Sequence, residues 1–241
     1  MNTVRTKDDV KNLGTILSVW AHPDDETYTC GGLMAVAVEN GQKVVCVTAT
    51  RGEAGVQDES RWPADQLGQI RETELMAALN ELGITSHHWL DYKDGCCCDI
   101  PEQEGGDRLV ELIDKYQPDT ILTFGPDGLT GHPDHQSISC WVDCATQGKS
   151  VTVYHVVEES KTYEDFLQEA NKQFNIYFNI DKPPVKKLDD CEIGLTLNGA
   201  VVLKKYNALK AMPSQMEALL KNTPKEHLKQ MLRHECFVKR P

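Results

Sequence analysis

The sequence predicts an α/β protein with a Rossmann-like parallel sheet flanked by helices and a smaller C-terminal α/β cap. Three observations predict this fold class. Short apolar runs alternate with longer helical patterns through the first two-thirds of the chain. The runs are β-branched and apolar throughout, which is typical of buried parallel strands. The composition then changes after about residue 158. Strand–helix alternation of this kind implies right-handed crossovers between parallel strands.

Five segments are predicted to be the strands of that sheet. The clearest are residues 15–21 (TILSVWA) and 43–49 (KVVCVTA), which are short, rich in β-branched residues and bounded by polar segments. The other three are residues 88–90, 120–124 and 151–157. Polar segments that follow these strands therefore lie at one edge of the predicted sheet.

Helical patterns lie between the predicted strands. They cover residues 31–40, 65–82, 107–116 and 133–145, and the first two stop at glycines, a common helix end. Beyond residue 158 we expect a strand over 175–180 and helices over 199–220 and 224–233. The sequence thus predicts a single domain over residues 1–241, with a core over about 14–158 and a cap over about 159–241.

The charge balance excludes several classes of function. Lys and Arg number 25 against 37 Asp and Glu, a formal net charge of −12. Nucleic-acid binding depends on neutralising phosphates with Lys and Arg, so we expect no nucleic-acid partner. The same deficit disfavours a polybasic membrane surface. No apolar stretch approaches the roughly 18 residues that a spanning helix needs, so we expect no membrane span.

The N-terminus and the cysteines indicate a cytoplasmic protein. The first segment, MNTVRTKDDVKNLG, contains no hydrophobic signal core. The nine cysteines are odd in number and several lie in apolar runs, which favours free thiols in a reducing compartment. The sequence leaves open whether the chain forms a homo-oligomer.

Three polar clusters follow predicted strands. His22-Pro23-Asp24-Asp25-Glu26 follows the first strand, Thr50-Arg51-Gly52-Glu53 follows the second, and Gly131-His132-Pro133-Asp134-His135 comes after the fourth. Ligands of parallel α/β proteins bind beyond the carboxyl ends of the strands. We therefore expect these clusters to meet in one site.

The residue types in these clusters suit a catalytic metal site. His22 and Asp25, three residues apart, can share one ion from a tight turn. A histidine of His132-Pro133-Asp134-His135 supplies a third ligand, which completes a His₂-carboxylate set with a position left for water. The other histidine is free for acid or electrostatic work, oriented by Asp134. Taken alone, the His22 and Asp25 pattern is more often a strand end with solvated carboxylates. The His132-Pro133-Asp134-His135 pattern alone is more often the start of a helix.

Taken together, the string AHPDDE, the TRGE after the next strand and the GHPDH about a hundred residues later resemble the LmbE-like, or PIG-L, deacetylase family. The resemblance runs in order from about residue 16 to 145. It implies a zinc-dependent hydrolase that removes an N-acetyl group from a glucosamine-type sugar or glycoconjugate, releasing acetate and a free amine. One Zn²⁺ per chain is expected, although the same ligands accept other divalent metals.

The resemblance also implies a role for each matching residue. Zinc would be held by His22, Asp25 and His135. Asp24 matches the general base, and His132 matches the histidine that stabilises the oxyanion, best as a cation, with Asp134 as its orienting partner. Arg51 matches a substrate-binding arginine. Glu53 belongs to the same motif and is predicted to bind substrate as well, with a loop-stabilising carboxylate as the alternative. Whether Asp24 or His132 protonates the leaving amine stays open.

Other functions remain as alternatives. The same site suits an amidase that cleaves another amide, such as a thiol-sugar conjugate, or a metal-dependent hydratase. A sugar-binding or metal-binding module without activity is a third reading. A dinucleotide-binding fold is disfavoured because no Gly-x-Gly-x-x-Gly follows the first strand, and a serine hydrolase because no Gly-x-Ser-x-Gly occurs.

Overall fold

An eight-stranded sheet lies at the centre of the structure, a computed structural model that describes residues 3–241. The strands are β1 (Ile16–Trp20), β2 (Val44–Thr50), β3 (Ser86–Tyr92), β4 (Thr120–Thr123), β5 (Thr152–Glu159), β6 (Val185–Lys186), β7 (Ile193–Thr196) and β8 (His234–Lys239). The main path runs β3-β2-β1-β4-β5-β8-β7, and β6 pairs with β5. The predicted fold class is confirmed.

The first five strands are parallel, and their register aligns the carboxyl ends of the central three. Ile16 of β1 pairs with Val44 of β2 on one side and with Thr120 of β4 on the other. Every residue of β1 and β2 is buried. Burial of this kind is typical of parallel strands covered by helices on both faces, and it explains the unbroken apolar runs.

The helices connect and cover these strands. They are α1 (Asp25–Glu39), α2 (Leu67–Leu82), α3 (Glu102–Tyr116), α4 (Gly128–Gly131), α5 (Pro133–Ala145), α6 (Ser160–Thr162), α7 (Gln168–Phe174), α8 (Gly199–Lys210), α9 (Pro213–Asn222) and α10 (Lys225–Met231). A π-helical segment, Tyr163–Leu167, joins α6 to α7. The bounds of α5 are those predicted.

Two helices begin earlier than the sequence predicts. Helix α1 begins at Asp25, not Gly31, because polar residues fill its first turn and hide the helical pattern. Helix α3 begins at Glu102, not residue 107, and runs through two glycines that weaken its predicted propensity. A Cβ on Gly105 would lie 2.2 Å from the Trp141 ring of α5, so glycine is needed for this close helix packing.

The C-terminal third differs most from the prediction. Residues 175–180 form a turn, so the strand predicted there is wrong; Asn175 has a left-handed φ of 51°. The helix predicted over 199–220 is divided into α8 and α9, because the chain bends at Met212 and Pro213 begins a new helix. The antiparallel pair β7 and β8 was not predicted. The division into core and cap stays a prediction.

The thiols agree with the sequence analysis. All nine cysteines are free. Within residues 3–241, no helix has both the length and the apolar character needed to cross a membrane.

A buried ion pair connects the last strand to the first helix. Lys205 of α8 contacts Glu235 of β8 at 2.7 Å, and their side chains are 1% and 0% exposed. The same carboxylate accepts the backbone N–H groups of Gly32 at 2.8 Å and Leu33 at 2.6 Å, both inside α1. The position of α1, which carries the AHPDDE cluster at its N-terminus, thus depends partly on a charge that Lys205 balances.

We expect Lys205→Met to destabilise the fold strongly, because it leaves the Glu235 carboxylate buried without its cation. Breaking one side of a buried pair typically costs about 3–5 kcal/mol. Urea unfolding measures the loss in the free energy of unfolding. Lys204→Met is the matched control: Lys204 contacts Glu39 with 42% of its side chain exposed, and we expect a cost within about 1 kcal/mol. Equal costs for the two variants would contradict this account.

Candidate metal centre and active site

Loops after β1 and β4 bring two histidines and a carboxylate together at the sheet edge. His22 Nδ1 lies 3.2 Å from His135 Nε2 and 3.6 Å from an Asp25 carboxylate oxygen. His135 Nε2 lies 3.5 Å from the other oxygen of Asp25. Bonds of about 2.0–2.1 Å to a tetrahedral ion separate its ligand atoms by roughly 3.3 Å. The three residues are therefore spaced to hold one divalent ion.

Hydrogen bonds fix the tautomer of His135. Its Nδ1 donates to the backbone oxygen of Gly128 at 2.9 Å, which leaves a lone pair on Nε2. The ring stacks on Phe124, with 4.0 Å between centroids. Burial is the main cause that lowers the pKa of His135, to about 4. The ring is therefore neutral and able to act as a ligand.

The outer nitrogen of His22 faces two carboxylates. His22 Nε2 lies 3.0 Å from Asp94 and 3.3 Å from Asp134, so this nitrogen carries a proton. Burial opposes the charged ring, but the contacts of His22 with Asp134, Asp25 and Asp94 outweigh burial and raise the pKa of His22 well above its usual value. Without an ion a second proton therefore lies on Nδ1, which faces the lone pair of His135 Nε2 at 3.2 Å. A divalent ion would replace that proton and bind between the two nitrogens. The donor set therefore fits a divalent metal, and its geometry indicates where the metal would bind.

Asp134 does not orient the His132 ring in the expected way. Its carboxylate accepts the backbone N–H groups of Gly95 at 2.8 Å and Cys97 at 3.0 Å, besides contacting His22. The backbone N–H of Asp134 instead donates to His132 Nδ1 at 3.1 Å, as an N-cap of α5. Asp134 thus positions His132 through its backbone and His22 through its side chain.

His132 lies next to the candidate ligands. A nitrogen of His132 lies within 4.8 Å of a nitrogen of His22 and of His135. Because Nδ1 accepts a hydrogen bond, the proton of the neutral ring is on Nε2. Burial lowers the pKa of His132, and the nearby His22 lowers it further. The ring is therefore a neutral hydrogen-bond donor near neutral pH.

Asp24 is a half-buried acid beside the candidate metal centre. Burial raises the pKa of Asp24 to about 7; Arg71 opposes this shift, and the charge of Asp25 adds to it. Its backbone has a φ of 112°, outside the usual region for residues with a Cβ. Its N–H donates to Glu26 at 3.2 Å, and a carboxylate oxygen lies 3.2 Å from Arg71. A carboxyl group with this pKa can both accept and release a proton near neutrality.

The sequence analysis missed Arg71 and Asp94. Arg71 of α2 donates to the backbone oxygens of Gly52 at 2.7 Å and Pro23 at 2.6 Å, besides pairing with Asp24. It lies four residues from Leu67 and from Leu75 on the buried face of its helix, and a charge on that apolar face was a detectable signal. Asp94 follows β3, so its place at the sheet edge was a second signal.

Arg51 and Glu53 follow β2, and neither of them lines the cavity that contains His22. Arg51 pairs with Glu72 at 2.8 Å and Asp91 at 2.6 Å, and it lies over the Trp89 ring. It lines a neighbouring cavity, separate from the one that contains His22. Glu53 accepts the N–H of Asp94 at 3.0 Å and so supports the Asp94 loop. Substrate-binding roles for Arg51 and Glu53 stay predictions.

The candidate ligands open onto a cavity of about 480 Å³. His22, Asp24, Asp25 and His132 line this cavity. The fold and the cavity together define an α/β protein with a candidate divalent-metal centre at the carboxyl edge of a parallel sheet.

The chain belongs to the PIG-L, or LmbE-like, family. The family profile described as "PIG-L: GlcNAc-PI de-N-acetylase" matches residues 17–146, more than half of the 241 residues. The matched segment contains every residue that the sequence analysis placed in the site.

Relatives support the same membership. A 1D-myo-inositol 2-acetamido-2-deoxy-alpha-D-glucopyranoside deacetylase from Mycobacterium sp. (strain KMS) is 38% identical over 141 residues, covering 50% of this chain and 46% of that protein. The chain thus spans about half the length of this relative. A protein of the same name from Actinosynnema mirum is 30% identical over 227 residues, covering 83% of this chain and 80% of that protein.

Solved structures agree on the fold. The N,N'-diacetylchitobiose deacetylase from Pyrococcus horikoshii has a TM-score of 0.63 at 20% sequence identity, covering 96% of this chain and 85% of that chain. At this identity the likeness concerns the fold alone.

Proposed function

We propose that this chain is a metal-dependent hydrolase that removes an N-acetyl group from an N-acetylglucosamine-type sugar or glycoconjugate, releasing acetate and a free amine. Family membership and the names of the relatives support the reaction class. One observation carries the proposal: His22 Nδ1 and His135 Nε2 converge beside the Asp25 carboxylate, with the half-buried acid Asp24 next to them. We propose Zn²⁺ as the ion, since two imidazoles and a carboxylate suit zinc.

His22, Asp25 and His135 would hold the ion. A zinc ion held there would supply a Lewis acid that activates water near neutral pH and polarises the acetyl carbonyl. Asp94 and Asp134 would support this arrangement by keeping the proton of His22 on the nitrogen that faces away from the ion.

Asp24 would act as the general base. Its carboxylate takes a proton from water as that water attacks the acetyl carbon. Without an ion, burial raises the pKa of Asp24 to about 7. A cation next to Asp25 would lower this pKa and so keep Asp24 ionised for the attack.

His132 would stabilise the oxyanion as a neutral donor. Its Nε2–H can donate to the negative oxygen that forms when water attacks, while Nδ1 keeps its bond from the Asp134 N–H. Protonation of His132 would break that bond, because both ring nitrogens would then be donors. The cation favoured by the sequence analysis therefore fits this geometry less well. A neutral ring is also a poor acid, so Asp24 returns its proton to the leaving amine.

We expect Asp24→Asn and Asp25→Ala to fail in different ways. Asn tolerates the positive φ of residue 24 but cannot accept a proton, so Asp24→Asn keeps its metal and turns substrate over about 10²–10⁴-fold more slowly. Asp25→Ala removes a proposed ligand and sharply weakens metal affinity. Elemental analysis, together with acetate release from N-acetylglucosamine glycosides, measures both effects.

The metal-loaded unchanged chain is the reference for both variants. If it releases no acetate from any N-acetylglucosamine glycoside, the proposed reaction is wrong. If Asp24→Asn empties the metal site, or Asp25→Ala keeps both metal and rate, then the two adjacent carboxylates have the opposite roles.

A neutral His132 predicts a specific pH dependence. Burial holds the pKa of His132 below 6.5, so the ring is already neutral at pH 7 and no activity is lost as the pH rises further. We expect kcat to stay level from about pH 7 to 8.5. We expect His132→Ala to lose about 10²–10³-fold in kcat and His132→Gln less, since its amide still donates. A decline in kcat above about pH 6.5 that disappears in His132→Gln would show that the cation acts instead.

A further inference from the structure

Three large apolar side chains line the candidate cavity together with its polar residues. We call Ile176, Phe178 and Met216 the apolar rim. Phe178 is 51% exposed, which is unusual for a residue of its size in this chain. Its ring lies edge-on to that of His132, with 5.7 Å between centroids. An exposed aromatic ring at this place is in direct reach of a bound ligand.

Contacts on both sides hold Phe178 in this position. Tyr177 is buried and donates its hydroxyl to Glu158 at 2.8 Å. On the other side, Asn179 packs against Gly131, where an added Cβ would lie 2.7 Å from the Asn179 backbone oxygen. The turn that carries Phe178 is therefore packed against the loop that carries His132. The exposure of Phe178 follows from this packing.

The part of the apolar rim that lies on α9 is also fixed. Met216 lies on α9, whose first turn is held by Ser214, since its N–H donates to Glu74 of α2 at 3.0 Å. The side chain of Gln215 donates to the backbone oxygen of Gly55 at 3.0 Å. The apolar rim is thus preformed, so a ligand does not have to order it on binding.

Within residues 3–241, the side chains that line the cavity offer an anionic ligand group no free cationic partner. Among the described residues that line the cavity, three are acidic, namely Asp24, Asp25 and Asp94. Arg71 is the one basic residue among them, counting lysines and arginines. The Arg71 guanidinium is already committed to Asp24 and to two backbone oxygens. A phosphate or carboxylate near the rim would find no free lysine or arginine there.

We infer that the apolar rim binds the aglycone of the substrate and selects an uncharged aromatic or apolar one. This inference rests on the proposed function. In an N-acetylglucosamine glycoside the acetamido group is on C2 and the aglycone is on the adjacent C1. A substrate with its acetyl carbonyl at His132 must therefore carry its aglycone nearby, and Phe178 is the large apolar side chain beside His132.

The test compares aglycones on the metal-loaded protein. Acetate release is measured for the methyl glycoside, for both anomers of the phenyl glycoside, and for the 1-phosphate of N-acetylglucosamine. We expect kcat/KM to be highest for a phenyl glycoside and lowest for the phosphate. Phe178→Ala should lower the phenyl-to-methyl ratio of kcat/KM by about threefold to tenfold, the worth of one aromatic contact. Leu203→Ala, another exposed apolar residue outside this cavity, should leave the ratio unchanged.

The outcomes are separable. No acetate from any of these compounds contradicts the proposed function itself. Acetate release with the same phenyl-to-methyl ratio in Phe178→Ala and the unchanged protein overturns the inference, as does a kcat/KM that is highest for the 1-phosphate. Met216→Ala provides a second measurement of the ratio if Phe178→Ala does not fold.

Discussion

The buried carboxylate of Asp134 connects the loops that follow three different strands. It contacts His22 after β1, accepts the N–H groups of Gly95 and Cys97 after β3, and lies in the first turn of α5 after β4. Charge-assisted bonds of this kind are stronger than neutral ones, particularly when they are buried. The His22 ring joins the same three loops through Asp94, Asp134 and His135, so the convergence of these loops depends on the pair of Asp134 and His22.

Acidic side chains crowd the candidate centre, and this arrangement has a cost in stability. Asp24 has a positive φ and a carboxyl group whose pKa burial raises to about 7. Strained backbone and buried like charges are typical of functional sites, where the surrounding structure holds them in place. A divalent ion would offset the repulsion between Asp24 and Asp25. Metal binding should therefore stabilise the loops at this edge of the sheet.

The sequence predicted the part of the fold and site that depends on local patterns. Buried parallel strands appear as apolar runs, and the clusters around His22 and His135 follow such runs directly, so both could be placed at the sheet edge. Arg71 could not be assigned in the same way, because its role depends on which loops its helix faces. The strands β7 and β8 were missed because their pairing joins residues distant in the chain. Phe178 lies in a turn that was predicted to be a strand, so its exposure was not foreseeable.

The contact between Asp134 and His22 also explains why the expected role of Asp134 differs from the observed one. Adjacency in sequence favoured His132 as the partner of the Asp134 carboxylate. The start of α5 instead turns this carboxylate towards the loops after β1 and β3. Sequence spacing identifies which residue types are close, whereas the direction of each side chain depends on the backbone at the helix terminus.

The position of a bound ion tests the proposed ligand set. Crystals of the protein loaded with zinc would show the ion as an anomalous difference peak at the zinc edge. We expect one peak at about 2.0–2.2 Å from His22 Nδ1, a carboxylate oxygen of Asp25 and His135 Nε2. A peak between His22 Nε2, Asp94 and Asp134, or one that replaces Asp25 with His132, would contradict this ligand set.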